Sequence, residues 1–198
     1  MPVNVSESKA ALTHHPQVLT RAWVEDLVQL FLKTSKIIIF FNSLHAGASV
    51  NHIHAQAVVH TNELAIESAR MLAYKGFSIL DRYPAQALCF GRDSDVGTIA
   101  AIIERLHESC IPFNLIMLGE RIILIPRNRE HEIVSEFPGG VLATLEAAGK
   151  IMTGDRSAYE RTERVHLESA FQKATLDVRA LIDSYLANEN LAPEGTFY

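Results

Sequence analysis

An apolar run, a short turn and an alternating segment follow one another between residues 36 and 60, and this order constrains the fold most strongly. The run KIIIFFNS (36–43) is β-branched and aromatic, which predicts a buried strand. The small residues of LHAGASV (44–50) predict a turn that lets the chain double back. NHIHAQAVVH (51–60) alternates with a period of two and predicts a second strand. Its outward face is expected to carry His52, His54, Gln56, Val58 and His60.

The remaining patterns predict both helices and strands. A helical period of apolar residues predicts helices at 20–33 and 95–110, the first with a stripe of Trp23, Leu27, Leu30 and Phe31. Further helices are expected around 63–74, at 141–151 and at 157–187. Short apolar runs predict strands at 76–83 and 86–92, and Gly119 and Glu120 predict the turn of a hairpin over 112–130.

This order of elements is typical of an α+β protein with one mixed or antiparallel sheet and helices packed on it. Because no stretch has the composition of a linker, we expect one domain at residues 20–187. Residues 1–19 are expected to form a flexible amino-terminal segment, and residues 188–198 a loosely held tail.

The charge and the cysteine content argue against several classes of protein. A formal net charge of -5 and a pI near 6.0 disfavour nucleic acid or an anionic membrane as partner, because both require a basic surface. Cys89 and Cys110 stand far apart, which disfavours a disulfide framework and a thiolate zinc site. The sequence has neither an apolar signal region nor a run of roughly 18 apolar residues that could cross a bilayer. We therefore expect a cytoplasmic protein.

Three hypotheses account for the histidine-rich face of residues 51–60. The face can be an ordinary solvent-exposed surface. It can be a metal site, in which His52 and His54 bind zinc or iron with a third ligand from His45, His60 or a distant glutamate. It can also serve nucleotidyl transfer, with a histidine nucleophile beside the N–H groups of a glycine-bearing turn.

The segment GASVNHIHAQ carries the HxHxQ motif and resembles the signature of the transferase branch of the histidine-triad superfamily. That branch includes galactose-1-phosphate uridylyltransferases and diadenosine tetraphosphate phosphorylases, and the resemblance is closest to the GDP-L-galactose and GDP-D-glucose phosphorylases. IPFNLIMLGERIILIPRNRE and LEAAGKIMTGDRSAYE resemble later segments of the same enzymes. The similarity runs from about residue 20 to about residue 185 and implies a histidine-triad-like fold.

The resemblance implies specific roles for the motif residues. It assigns the nucleophile to His54, and His52 would brace the strand and the nucleotide pocket. A nucleophilic histidine must present a neutral ring nitrogen, so its other nitrogen has to be held as a donor, often by a backbone carbonyl. Hydrolytic relatives have histidine where this chain has Gln56. An amide cannot donate a catalytic proton, which favours transfer to phosphate over hydrolysis.

Four further residues are predicted to bind the substrate. Gly47 would let the backbone approach the phosphates, to which Ser49 and Asn51 can donate. Asn42 matches an asparagine of the family and can orient phosphate or ribose, although capping of a strand end explains it equally well. His45 stands where close relatives usually have glycine. Basic residues that can neutralise a nucleotide, unless they form a solvated rim, are Lys36, Arg127 and Arg129.

The implied partners are a nucleotide or nucleotide sugar and inorganic phosphate, and we expect neither a cofactor nor a metal at the site. Members of the family carry a long amino-terminal portion that supplies sheet strands and much of the nucleoside pocket. The resemblance therefore implies that a second copy completes the site in a homodimer, or that the pocket is incomplete. A metal-dependent enzyme and a non-catalytic nucleotide-binding protein remain the alternatives.

Overall fold

The sheet that organises this chain is antiparallel and seven-stranded. The structure, a computed structural model, describes residues 14–34 and 36–186. The strands are β1 (Ile37–Asn42), β2 (Gln56–Val59), β3 (Arg70–Tyr74), β4 (Phe77–Asp81), β5 (Leu88–Gly91), β6 (Phe113–Leu118) and β7 (Arg121–Pro126). Their order in the sheet is β2-β1-β6-β7-β5-β4-β3. The predicted α+β class with an antiparallel sheet is confirmed.

Helices cover both faces of this sheet. They are α1 (Arg21–Leu32), α2 (Val96–Glu108), α3 (Thr144–Ala147), α4 (Arg156–Arg161), α5 (Arg164–Ala174) and α6 (Val178–Leu181), with a 3₁₀ turn at Arg129–His131 and a π-helical turn at Ile182–Leu186. Buried residues of α1, α2 and α6 pack on one face, and those of α3 and α5 pack on the other. Because strands buried on both faces need mostly apolar residues, β6 and β7 are apolar runs interrupted only by Asn114 in β6 and Arg121 at the start of β7.

Several predicted elements agree with the structure and others do not. Strand β1, helix α2 and the β6–β7 hairpin, whose turn holds Gly119 at φ 54, lie where the sequence predicts them. The prediction of a helix around 63–74 is wrong, because residues Arg70–Tyr74 form the strand β3. This strand pairs with β4 across a tight turn in which Lys75 and Gly76 both have positive φ.

The helical segments also differ in detail from the prediction. The segment 141–151 is helical only over α3, and 157–187 is divided into α4, α5, α6 and the π-helical turn. On α1 the buried stripe consists of Val24, Val28 and Phe31, whereas Trp23 and Leu30 are exposed. Among the described residues, no helix is long and apolar enough to span a membrane.

Part of the amino-terminal segment contacts the body of the protein. Residues 14–19 pack against the body of the protein, and Gln17 and Leu19 are buried. The flexibility of residues 1–19 remains a prediction. Residues 1–13 and the predicted tail at 188–198 lie outside the described residues. The boundaries of the domain at 20–187 remain a prediction.

A buried arginine ties the sheet to the loops beside it. Arg127 follows β7 and is 0% exposed. Its guanidinium donates to the side-chain oxygen of Asn114 on β6 at 2.7 Å, to the carbonyl of Ala174 at 2.8 Å and to the carbonyl of Leu142. Burial lowers the pKa of Arg127 to about 10, so it stays protonated at neutral pH. Three separate parts of the chain thus depend on one guanidinium for their hydrogen bonds.

We expect Arg127→Met to lower the free energy of unfolding by about 3 kcal/mol, because it leaves the buried oxygen atoms of Asn114 and Leu142 without this donor. Urea denaturation followed by circular dichroism measures the change. Arg156→Met is the matched control, since the side chain of Arg156 on α4 is 91% exposed and its loss should leave the midpoint unchanged. Equal midpoints for the two variants would contradict the structural role of Arg127.

Candidate active site

The side-chain amide of Gln17 lies where β1 and β2 stop pairing. The register of the two strands pairs Phe40 with Gln56, and its continuation would place Asn42 opposite His54. Instead, the Gln17 amide donates to the carbonyl of Asn42 at 2.8 Å and accepts from the N–H of His54 at 2.9 Å. It also donates to the carbonyl of His54 at 3.1 Å. The prediction of a strand over 51–60 is therefore wrong for residues 51–55. There the Gln17 side chain makes the hydrogen bonds that the backbones of two paired strands would otherwise make.

Residues 14–17 run beside the motif segment and hold it in place. The Gln17 N–H donates to the side-chain oxygen of Asn51 at 2.9 Å, and the Ile53 N–H donates to the carbonyl of His15. His14 Nε2 lies 2.8 Å from the carbonyl of Asn51 and is its donor, because a carbonyl only accepts. The motif histidines thus lie in an irregular segment that a second part of the chain fixes.

One hydrogen bond sets the protonation of the His54 ring. Its Nδ1 atom lies 2.8 Å from the backbone carbonyl of His52. Because the carbonyl only accepts, Nδ1 must carry the proton. In the neutral ring the lone pair is then on Nε2, which is the nitrogen available to attack an electrophile. The ring is half-buried, at the edge of the sheet.

The other two motif residues are exposed. The His52 ring lies 5.6 Å from the ring of His14, centroid to centroid. Gln56 begins β2, opposite Phe40 in the register. The hydrogen bond that orients the His54 ring uses the backbone carbonyl of His52, not the His52 ring. This bond therefore does not require an imidazole at position 52. The catalytic roles of His52, His54 and Gln56 remain predictions.

Asn42 lies in a buried network beneath the loop at 43–50. Its side-chain oxygen accepts from Asn114 Nδ2 at 2.8 Å, from the Thr144 N–H at 3.0 Å and from Thr144 Oγ1 at 2.6 Å. These three bonds connect the end of β1 with β6 and with the start of α3. The structure gives Asn42 a structural function of the kind that strand-end capping anticipated. Its contact with phosphate or ribose remains a prediction.

Gly47 is required by the close approach of a neighbouring loop. Its φ is +94°, and a Cβ atom there would lie 2.7 Å from the Cβ of Ala143. The Gly47 N–H donates to Glu132 Oε1 at 3.0 Å. The amide that was expected to face phosphate is thus already bound by a carboxylate. His45, two residues earlier, has φ +63°, which explains the glycine usually found there in the related enzymes.

The remaining predicted binding residues lie at the surface. Ser49 and Asn51 are exposed, and the Asn51 side-chain oxygen is bound by Gln17. Arg129 is exposed, with its NH2 atom 3.4 Å from His45 Nε2, and Lys36 is exposed as well. Arg127 is the exception among the basic residues, because it lies beneath the surface and not at a rim. Phosphate binding by Gly47, Ser49 and Asn51 remains a prediction.

The histidines proposed as metal ligands are separated in the structure. His60 Nε2 lies 2.9 Å from Glu67 Oε2, and the other Glu67 oxygen accepts from the Leu64 N–H at 2.7 Å. His45 Nδ1 lies 3.9 Å from Glu132 Oε2. Within residues 14–34 and 36–186, no three histidine, cysteine, aspartate or glutamate side chains are grouped so that they could hold a metal ion.

The fold is shared with a structurally characterised phosphorylase. The chain matches the crystal structure of yeast Ap4A phosphorylase Apa2 with a TM-score of 0.60 and 14% identity, over 83% of this chain and 65% of that chain. Structures of the same enzyme with AMP and with Ap4A give TM-scores of 0.61 and 0.59, at 14% and 13% identity, over 82% of this chain and 66% of theirs. The chain thus shares the fold of yeast Ap4A phosphorylase.

The family is established by the amino-acid sequence. The family described as GDPGP1-like, C-terminal domain, matches residues 60–181, which is more than half of the chain. The chain belongs to this family, and the resemblance to GDP-hexose phosphorylases is confirmed at that level. The match begins after the HxHxQ segment. No curated protein matches the chain.

Sequence patterns did not reveal several residues that build this site. Gln17, Thr144 and Glu132 belong to no motif, and each contacts the site through the fold. Asn114 had a detectable signal, because an amide within the apolar strand FNLIML must find buried partners.

We expect Gln17→Ala to increase the hydrogen-exchange rate of the His54 amide roughly tenfold, because that N–H loses its acceptor. Exchange measured by mass spectrometry on peptides covering 51–56 tests this. Gln172→Ala on the exposed face of α5 is the matched control. Exchange at His54 that rises no more than exchange in β6 would indicate a loss of global stability only.

Proposed function

We propose that this protein is a nucleotidyltransferase or phosphorylase that works through a covalent nucleotidyl-histidine at His54. The observation that carries the proposal is the hydrogen bond from His54 Nδ1 to the His52 carbonyl. It fixes the tautomer in which Nε2 holds the free lone pair, as a nucleophilic histidine requires. The family and the shared fold support the proposal.

The reaction has two displacements at one phosphorus atom. In the first, the His54 Nε2 lone pair attacks the α-phosphorus, and the bond to the leaving phosphate oxygen breaks with its electron pair. In the second, an oxygen of inorganic phosphate attacks the same phosphorus, and the P–N bond breaks and returns its pair to Nε2. Neither leaving group needs a proton to depart, which suits the amide of Gln56.

The substrate proposed is a nucleoside diphosphate sugar or a dinucleotide, with inorganic phosphate as the acceptor. Yeast Ap4A phosphorylase has been crystallised in complex with AMP and in complex with Ap4A. This chain spans 65–66% of the length of those chains. A homodimer in which a second copy contributes to the nucleotide pocket is part of the proposal.

A second candidate function is nucleotide binding without turnover. The observation that favours it is the contact between Gly47 N–H and Glu132, because a carboxylate occupies an amide that a transferred phosphoryl group would need. Turnover requires Glu132 to leave this position, whereas binding of the nucleoside portion does not. Detection of a covalent adduct separates the two functions.

We expect His54→Ala to abolish the covalent nucleotidyl adduct, because the attacking nitrogen is removed. His52→Ala should reduce the adduct without abolishing it, since position 52 orients His54 through its carbonyl. Incubation with a panel of labelled nucleotides, followed by intact-mass measurement, detects the adduct. Unchanged adduct yield in the His54→Ala protein would eliminate the mechanism, and an unmodified protein that binds nucleotide without an adduct would support the second candidate.

We expect Gln56→His to gain water-dependent turnover, because the new imidazole can protonate a poor leaving group. A positioned general acid typically contributes about 10²–10⁴-fold. Product formation from a nucleoside phosphoramidate and from a dinucleotide, with and without inorganic phosphate, measures the change in both proteins. If the unmodified protein already hydrolyses phosphoramidates and ignores phosphate, the transferase assignment is wrong even with His54 as nucleophile.

A further inference from the structure

Strand β2 (Gln56–Val59) is an edge strand whose two faces are both exposed. It is the first strand in the order of the sheet, so β1 is the one described strand that pairs with it. All four residues of β2 are exposed, whereas every residue of β1 after Ile37 is buried. Val58 is 37% exposed and Val59 is 71% exposed. The helices that cover the rest of the sheet therefore leave this edge uncovered.

The backbone of β2 directs hydrogen-bonding groups toward this uncovered edge. The His60 N–H donates to the carbonyl of Lys36 at 2.8 Å, which makes these two residues a hydrogen-bonded pair of the ladder. Bonded and non-bonded pairs alternate along an antiparallel ladder, so Val58 also bonds β1. Ala57 and Val59, between these positions, direct their N–H and C=O groups away from β1. Within the part of the chain that the structure describes, these groups have no hydrogen-bond partner.

The sequence of β2 does not block the addition of another strand. Sheet edges are commonly protected against such pairing by charged side chains, proline or a bulge. No aspartate, glutamate, lysine, arginine or proline occurs between residues 37 and 62. The opposite edge strand, β3, begins with Arg70 and is followed directly by Lys75. Of the two edges of the sheet, β2 is therefore the one whose sequence permits pairing.

We propose that β2 pairs antiparallel with β2 of a second copy of this chain, across a two-fold axis at Val58. In this register Ala57 lies opposite Val59 of the second copy, and the N–H and C=O groups of both residues form four hydrogen bonds. Ala57 is small and leaves room for Val59, while Val58 lies opposite Val58 of the second copy. Gln56 lies opposite His60 of the second copy, so a polar residue is matched with a polar one.

Other two-fold registers match the side chains less well. An axis at Ala57 would place the amide of Gln56 opposite the apolar side chain of Val58. An axis at Val59 would pair Ala57 with Thr61, which lies beyond the end of β2. With the axis at Val58 the edge is self-complementary, as a two-fold interface requires. Each copy carries a net charge of -5, but the uncharged stretch of residues 37–62 brings no like charges together at the paired strands.

The paired strands would border the candidate active site of each copy. Gln56 is both the third residue of the motif and the first residue of β2. The proposed register places His60 of the second copy, which contacts Glu67 at 2.9 Å, beside this position. The inference names the interface of the homodimer described above, and in that respect it rests on the proposed function. The hydrogen bonds of the edge do not depend on the chemistry of His54.

The first experiment measures the association of the full chain without nucleotide. Two four-residue strands bury a small area, so we expect a dimer that dissociates on dilution. Its dissociation constant should be on the order of 10 μM, and sedimentation velocity between about 1 and about 500 μM measures it. A protein that stays monomeric over this range would overturn the proposal. The adduct at His54 is measured separately, so the two proposals fail separately.

Two proline variants identify the edge. Ala57→Pro removes an outward N–H from each copy and leaves the bonds to β1, so it should weaken the dimer at least tenfold. Ala73→Pro on β3 is the matched control and should change nothing. Ala73 is exposed, and its N–H points away from β4, because the Leu80 N–H donates to Ala87 and the bonds alternate from there. A dimer weakened by Ala73→Pro and not by Ala57→Pro would place the interface at β3 and overturn the proposal.

A pair of charged variants tests the register. Val58→Lys and Val58→Glu each place like charges opposite one another across the two-fold axis, so each variant alone should dimerise at least tenfold more weakly than the unmodified protein. An equimolar mixture of the two places opposite charges there and should associate at least tenfold more tightly than either variant alone. Misfolding cannot produce such a gain. A mixture that associates no better than its components would overturn the register.

Discussion

The amide of Gln17 is the interaction on which the geometry of the candidate site depends. It bonds the end of β1 on one side and the backbone of His54 on the other, so it substitutes for ladder bonds that two strands would otherwise form. A continued strand would fix residues 52–55 in an extended conformation. Because β2 begins only at Gln56, residues 52–55 are not held in that conformation. The His54 ring can then form its hydrogen bond with the carbonyl of His52. The tautomer of His54 is thus a consequence of where β2 begins.

A second layer of buried polar groups supports this arrangement from below. Asn42 lies one residue before the loop, and its side-chain oxygen is bound by Asn114 and Thr144, while Asn114 in turn accepts from Arg127. Buried polar groups of this kind are costly when they lose their partners, so the set favours one arrangement of β1, β6 and the start of α3. The loop that contains Gly47 starts from this fixed base.

Local patterns in the sequence predicted the parts of the fold that short-range periodicity controls. Strand β1, helix α2 and the β6–β7 hairpin have apolar periods that suit only one element. The same reasoning failed for β3. This segment is a strand because it pairs with β4, and the periodicity of its own apolar residues does not predict a strand. It also failed for residues 51–55, although the sequence does alternate there. Gln17, which is 37 residues away from His54 in the chain, makes the hydrogen bonds that a paired strand would otherwise make. Contacts at such separation have no local signature.

The contact between Glu132 and Gly47 connects the candidate active site with the exposed side chains of His45 and Arg129. One carboxylate oxygen takes the amide of the loop, and the other lies near His45, which in turn lies near Arg129. A phosphate that binds the Gly47 amide must displace Glu132, because two anions cannot share one N–H at close range. Displacement removes the negative charge beside His45 and Arg129, so an anion close to the Arg129 guanidinium becomes more favourable at the same time. Since coupling between two sites is reciprocal, an anion held by Arg129 must also favour release of the Gly47 amide.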